Sequence, residues 1–123
     1  MDATLRAYSL VDGEFSEPPT SETAAVYGFP ATSPAVSSNG MTDAIVWTLE
    51  TSTNGSGLPP GNTLGPAILR AYDATDLAHV LFESNATSAN TCGDAVKFTV
   101  PTVANGKVYV GGYDQVTVYA LLP

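Results

Sequence analysis

The C-terminal third of the sequence restricts the chain to strands and tight turns. Across residues 107–110 two valines alternate with a lysine and a tyrosine, and across 115–121 valines again alternate with polar or aromatic residues. A period of two is typical of a pleated strand with two chemically distinct faces. Asn105-Gly106 stands directly before the first run, and both residues tolerate the positive φ that a tight hairpin turn requires. The tail therefore predicts three strands joined by turns, at 96–104, 107–111 and 115–121.

The same sequence pattern occurs earlier in the chain, and this repetition predicts the architecture. The sequence 34–40 matches 101–106 with one extra serine, and the tetrapeptide Leu-Arg-Ala-Tyr occurs at 5–8 and again at 69–72. Repeats that consist only of strands and turns are typical of β-propellers, in which each repeat is a four-stranded blade. The predicted fold class is therefore all-β, with antiparallel propeller blades.

We expect one domain, residues 1–123, that is divided into parts of three blades. The strands of a blade are labelled A to D from the centre outwards. The first part contains strand C (4–10) and strand D (13–17). The second part contains all four strands, and the third part contains strands A, B and C. These parts are 1–20, 33–84 and 96–123. About two blades cannot close a ring of the usual four to eight. We therefore expect a homo-oligomer that completes the ring, preferably a cyclic trimer or tetramer, with a compact two-fold dimer or association with a missing partner domain as the alternatives.

The composition is that of a globular protein and limits its partners. Hydrophobic residues make up 44% and charged residues 13% of the chain, which argues against disorder. Twelve acidic and four basic side chains give a net charge of −8, which repels nucleic acids and anionic membrane surfaces. No apolar run of membrane-spanning length and no signal peptide is visible. The chain as given is expected to be soluble, and its compartment is left open.

The residues most often used in catalysis are scarce. Cys92 is the single cysteine, so it forms neither an internal disulfide nor a cysteine metal site. Its polar neighbours predict an inert thiol in a loop rather than a nucleophile. His79 is the single histidine and is expected at the start of a D strand, facing solvent. We therefore assign no catalytic residue. Whether the protein is an enzyme is left open, and the sequence favours a protein that is not one.

Three predicted connections are long and polar, whereas the hairpin turns are tight. The long connections are 18–32, 51–66 and 85–95. In a propeller the B-to-C and D-to-A connections emerge on one side of the disc, so the long loops are expected to share a face. Loops on a rigid scaffold commonly carry function. A ligand on that face is expected to contact Tyr27, Asn54, Asn62, Asn90, Asp94, Tyr113 and Asp114.

Two segments carry a resemblance to a known family. Residues 71–74, Ala-Tyr-Asp-Ala, are followed by Leu81-Phe82, and this phrase resembles the blade repeat of the pyrroloquinoline quinone (PQQ) dehydrogenase-like propellers. The tail closely resembles the C-terminal blade of bacterial proteins with that repeat. The resemblance covers nearly the whole chain and implies the last two blades of a longer propeller, whose relatives are expected to be exported.

The resemblance implies the fold but not the quinone. Asp76-Leu77-Ala78 replaces the family's Thr-Gly turn, and Phe82 replaces its tryptophan. Nothing in the sequence matches the calcium ligands or the carboxylate base of the quinoprotein enzymes. No cofactor is therefore required by the sequence.

Further predictions concern a cation and the core. A hard cation such as Ca²⁺ would suit the oxygen ligands of four acidic residues, if these gather near a central channel: Glu50, Asp43, Asp94 and Asp114. The recurrent tyrosines Tyr8, Tyr72 and Tyr119 are predicted to pack between blades. Ten β-branched residues are predicted to be mostly buried: Val36, Ile45, Val46, Ile68, Val100, Val103, Val108, Val110, Val116 and Val118.

Two functions from different classes follow from this sequence. The preferred one is a non-catalytic, self-assembling propeller module that binds a small molecule, a glycan or a protein through its long-loop face. The alternative is an oligomeric enzyme with a site in the channel between chains, either a metal-assisted hydrolase or a quinoprotein-like oxidoreductase. A stoichiometric metal or a quinone absorption band in the purified protein would favour the enzyme.

Overall fold

A computed structural model describes residues 2–53 and 64–120, and this part of the chain is an all-β protein. Its helical structure is a single 3₁₀ turn at Ser88–Asn90. The strands, in chain order, are β1 (Ala3–Ala7), β2 (Leu10–Val11), β3 (Glu14–Phe15), β4 (Ser21–Tyr27), β5 (Ala35–Asn39), β6 (Thr42–Glu50), β7 (Ile68–Asp73), β8 (Asp76–Glu83), β9 (Thr102–Ala104), β10 (Lys107–Gly112) and β11 (Gln115–Ala120).

These strands form four antiparallel sheets, and none of the sheets closes on itself. The central sheet has the order β5-β6-β7-β8, and the C-terminal sheet has the order β9-β10-β11, so in both of them each strand pairs with the next in sequence. The N-terminal sheet consists of β1 and β4. Between these two strands, β2 and β3 form a separate hairpin. The predicted antiparallel, all-β class is confirmed.

The predicted turns are present where Asn, Asp and Gly occur together. Asn105 and Gly106 have φ angles of 51° and 69°, and they reverse the chain between β9 and β10. Asp12 and Gly13, with φ angles of 52° and 87°, do the same between β2 and β3. Consecutive positive φ angles match the right-handed twist of the flanking strands.

The first strand of the chain does not pair with the strand that the sequence predicted as its partner. The segment 18–32 was expected to be a loop, but residues 21–27 form β4, and this strand pairs with β1. Only the short β2–β3 hairpin corresponds to the expected pairing of 4–10 with 13–17. The cause is burial: Thr23 and Tyr27 of β4 are covered by the central sheet, and this long-range contact determines the pairing.

The predicted strand 96–104 is also too long at its beginning, because β9 starts at Thr102. Phe98 has a φ angle of 66°, in the left-handed region that a strand does not use. The hydroxyl of Thr99 donates a hydrogen bond of 2.7 Å to the carbonyl oxygen of Val96, which closes a turn around Phe98.

The main core lies between the central and C-terminal sheets. It is formed by Leu49 and Leu69 from the central sheet and by Val108 and Val110 from the C-terminal sheet. Phe82 and Tyr119 extend it through an edge-to-face contact with a ring separation of 5.6 Å. Strand alternation places these side chains on facing surfaces, so the two sheets stack.

The prediction of ten buried β-branched residues holds only in part. Val108 and Val110 are buried, whereas Ile45, Val46, Ile68 and Val103 are half-buried. The prediction is wrong for the other four, which are exposed: Val36, Val100, Val116 and Val118. Val100 lies in the connection before β9, and Val116 and Val118 lie on a face of the C-terminal sheet that no other described sheet covers. Val36 lies at one end of a central-sheet face that the N-terminal sheet covers only towards the other end.

A second, more polar interface joins the N-terminal sheet to the central sheet. The Tyr27 hydroxyl lies 2.9 Å from the Tyr72 hydroxyl and 2.8 Å from that of Thr48, and all three residues are buried. Beside them, Arg70 donates to Glu50 at 2.6 Å and to Glu83 at 2.7 Å. Burial lowers the pKa of Arg70, but these two hydrogen bonds raise it more, so the guanidinium stays charged.

This interface predicts a loss of stability in alkali. Burial, and then the hydrogen bond with Tyr27, raises the pKa of Tyr72 above its usual value of 10.0. The folded state holds the Tyr72 proton more tightly than the unfolded state does. The resulting contribution to the free energy of unfolding is complete below about pH 10 and is lost as the pH rises further. Melting temperatures between about pH 9 and 11 should fall less steeply for Tyr72→Phe than for the parent chain. Equal slopes would contradict the assignment.

Candidate functional site

The long connections meet at one end of the sheets, which we call the loop end. Ala67 donates its N–H to the carbonyl of Gly93 at 3.0 Å, and Ala95 donates to that of Gly65 at 2.8 Å. The N–H of Tyr113 donates to the carbonyl of Asp94 at 2.9 Å. The connection before β7, the connection before β9 and the β10–β11 turn are therefore one hydrogen-bonded unit.

The closeness of these connections depends on a glycine. A Cβ atom at Gly112 would lie 3.0 Å from the carbonyl oxygen of Asp94, which is closer than side chains normally approach backbone. Glycine at this position allows the β10–β11 turn to contact the 93–95 segment directly. The close packing of the loop end thus depends on a residue without a side chain.

Three of the predicted site residues are brought together here, and others are not. Asp94, Tyr113 and Asp114 lie at the loop end with exposed side chains. Asn90 lies on the same connection as Asp94, and its carbonyl accepts a hydrogen bond of 2.7 Å from Tyr119. Asn54 and Asn62 lie outside the described residues.

Tyr27 is placed differently from its predicted position on an exposed loop. It ends strand β4, its side chain is buried, and its hydroxyl is occupied by Tyr72 and Thr48. A surface ligand would have to displace the N-terminal sheet to contact it. The residue therefore stabilises the interface of the two sheets.

The four acidic residues considered for a cation do not come together. Asp43 lies near the start of β6 and Glu50 at its end, which separates them by roughly 20 Å along an extended strand. Glu50 is paired with Arg70. Within residues 2–53 and 64–120, no group of three or more His, Cys, Asp or Glu side chains is arranged to hold a metal ion.

Cys92 lies in the connection between β8 and β9, as predicted, and its side chain is buried. Its sulfur lies 3.0 Å from the hydroxyl of Tyr119 and 3.4 Å from that of Ser84. Burial, and then the contact with Cys92, raises the pKa of Tyr119, so this hydroxyl stays protonated and is no base for the thiol. His79 is exposed on β8, as predicted, with Nδ1 3.8 Å from Asp73. Within the described residues, neither side chain has the base partner that a nucleophile requires.

The loop end also carries an aromatic cluster that the sequence pattern did not indicate. The rings of Phe29 and Phe98 are 6.2 Å apart and perpendicular, and both are strongly exposed. The ammonium of Lys97 lies 5.0 Å from the centre of the Phe29 ring. We call these three residues the aromatic corner. The available signal was a large apolar residue, Phe29, inside a polar connection.

No family model, no curated protein sequence and no solved structure matches the chain. In the described part of the chain, no helix is long and apolar enough to cross a membrane.

Proposed function

We propose that this chain is a non-catalytic β-propeller module that assembles with copies of itself and binds a ligand at the loop end. Its sheets are blades or parts of blades of the PQQ dehydrogenase-like repeat type. The observation that carries the proposal is a pair of uncovered apolar sheet faces on opposite sides of the stack.

The first uncovered face belongs to the C-terminal sheet. Val116 pairs across the strands with Gly111, and Val118 pairs with Tyr109, so both valines point away from the core that Val108 and Val110 enter. Exposed β-branched residues on one sheet face have the pattern of an interface rather than of a solvated surface.

The second uncovered face belongs to the central sheet. Val36, Val46 and Tyr72 form one cross-strand row, so they share a face. The N-terminal sheet covers this face at Tyr72, whereas Val36 at the other end of the row is exposed. Among the described residues, nothing forms a layer over the inner half of this face, where a propeller has a neighbouring blade.

These two faces cannot cover each other within one chain, because the central and C-terminal sheets lie between them. A head-to-tail contact between copies covers both at once, and repetition of that contact around an axis gives a ring. Three or four copies would supply about six to eight blades, within the known range of propellers. The edge strand β11 also offers unpaired backbone groups to such a neighbour.

The assembly is tested by light scattering after size exclusion, with a matched pair of variants. Val116 and Val11 are each 65% exposed, but Val11 lies on the β2–β3 hairpin. The parent chain and Val11→Asp should have masses that are multiples of 12.7 kDa, whereas Val116→Asp should be monomeric. Added salt should strengthen the assembly, because it screens repulsion between chains of net charge −8. A monomeric parent chain at micromolar concentration would refute the proposal.

A further inference from the structure

We infer that the aromatic corner binds a carboxylate that is carried on an aromatic ring. The inference rests on the proposed function, since it names the ligand class of the loop end. Phe29 and Phe98 would hold the ring, and the ammonium of Lys97 would hold the carboxylate.

The geometry of the two rings suits an aromatic guest. Phe29 and Phe98 are perpendicular, with an interplanar angle of 90° and a ring separation of 6.2 Å. A third ring that stacks on one of them presents its edge to the other, and both arrangements are favourable for aromatic pairs. Both rings are strongly exposed and therefore accessible to a guest.

The charge of Lys97 is available to a ligand. Among the described residues, the ion pairs of the protein use Arg6, Arg70 and His79, and no carboxylate lies within 4.0 Å of Lys97. The ammonium instead lies over the Phe29 ring. The ammonium can therefore donate charge-assisted hydrogen bonds to a carboxylate.

The backbone holds the corner in an exposed position. Phe98 has a φ angle of 66°, a conformation that bulky residues rarely adopt, and the Thr99 to Val96 hydrogen bond closes the turn around it. On the other side, the N–H of Ala31 donates to the carbonyl of Gly28 at 2.6 Å, which closes the turn that carries Phe29. Strained positions of this kind cluster at functional sites. A backbone that is already held in turns has less conformational freedom to lose on binding.

The composition of the corner selects against other ligand classes. One cation in a strongly acidic protein favours a single negative charge and disfavours polyanions such as nucleotides. A sugar would require several directed hydrogen bonds, whereas the corner offers two apolar rings and one ammonium. An aromatic monocarboxylate satisfies both halves of the site.

The probe is 3-phenylpropionate, with 3-phenylpropanamide as the uncharged control, and binding is followed by NMR shifts of the protein amides. Saturable shifts around residues 28–32 and 96–99 are expected for the acid. Lys97→Met should weaken binding of 3-phenylpropionate about tenfold, because a charge-assisted hydrogen bond is lost. Binding of 3-phenylpropanamide should be unchanged. Shifts confined to other regions would overturn the inference.

A second variant separates binding from folding. Asparagine tolerates the left-handed conformation better than phenylalanine does, so Phe98→Asn should raise the melting temperature while it abolishes saturable binding. Phe15→Asn is the matched control, because Phe15 is 70% and Phe98 75% exposed but Phe15 lies on the β2–β3 hairpin. Unchanged binding by Phe98→Asn would place the ligand elsewhere.

Light scattering on the same samples distinguishes the two proposals. If the parent chain assembles but does not bind 3-phenylpropionate, the aromatic corner is refuted and the assembly stands. If the parent chain is monomeric and still binds the acid at the corner, the site stands and the propeller module is refuted.

Discussion

Replacing Val108 by aspartate is expected to leave no folded protein in solution. Val108 is 4% exposed and belongs to the same core as Leu49 and Leu69. A buried carboxylate without a partner costs several kcal/mol, and the whole stability of a domain of this size is about 5–15 kcal/mol. Soluble yield and the thermal transition by circular dichroism measure the loss.

The control for this variant is Val116→Asp. Val116 lies on the neighbouring strand, but its side chain points to the uncovered face of the C-terminal sheet. This variant should remain folded, even though we expect it to lose self-association. Normal yield and melting temperature for Val108→Asp would show that the two sheets do not stack as described.

The second large effect is expected for Arg70→Met. The guanidinium of Arg70 is nearly inaccessible and neutralises Glu50 and Glu83 from opposite sides. Without it, the carboxylates on the two strands that flank β7 lose their shared cation beside the buried Tyr27 ring, whose centre lies 5.8 Å from the guanidinium carbon. Removal of one partner from a buried ion pair costs about 3–5 kcal/mol, and the partial exposure of Glu83 places the expected loss near the lower value. Urea titrations of Arg70→Met and of the parent chain at neutral pH measure this loss of stability.

Arg6→Met is the matched control, because Arg6 occupies the same position in the other copy of Leu-Arg-Ala-Tyr. Its pair with Glu22 is exposed on both sides, and an exposed pair contributes little. A loss of stability by Arg70→Met as small as that by Arg6→Met would show that burial of the Arg70 pairs is unimportant.

This pair of arginines also explains why burial was hard to predict from the repeat. Both copies of the tetrapeptide have the same letters, yet Tyr72 is fully buried and Tyr8 is substantially exposed. Strand character follows from local alternation and turn residues. Burial depends on whether another sheet covers that face, and the letters of the repeat carry no information about the neighbour.

The same limit applies to the N-terminal strands. The Asp12-Gly13 turn was predictable, because its conformation depends on two adjacent residues. The pairing of β1 with β4 was not, since Ser, Thr and Glu near the start of β4 are typical of a loop. The pairing is determined by the contact of Tyr27 with Tyr72, which lies 45 residues away in the sequence.

The meeting of the long connections at the loop end was predictable. In a sheet of antiparallel strands joined in sequence, every second connection lies at the same end of the sheet. The aromatic corner was not predictable. The alternation of residues 96–104 suggested a strand, and only the left-handed backbone of Phe98 turns its ring outwards beside Phe29.

Burial of the single cysteine has a practical consequence. The sulfur of Cys92 contacts Ser84 from the end of the central sheet and Tyr119 from the C-terminal sheet, so a thiol reagent reaches it only after these layers part. Under native conditions the labelling rate of Cys92 therefore reports how often the C-terminal sheet detaches while the remainder stays folded. Because the chain has one thiol, that opening equilibrium can be measured without introducing a probe, and covering the C-terminal sheet with a second copy should slow the labelling.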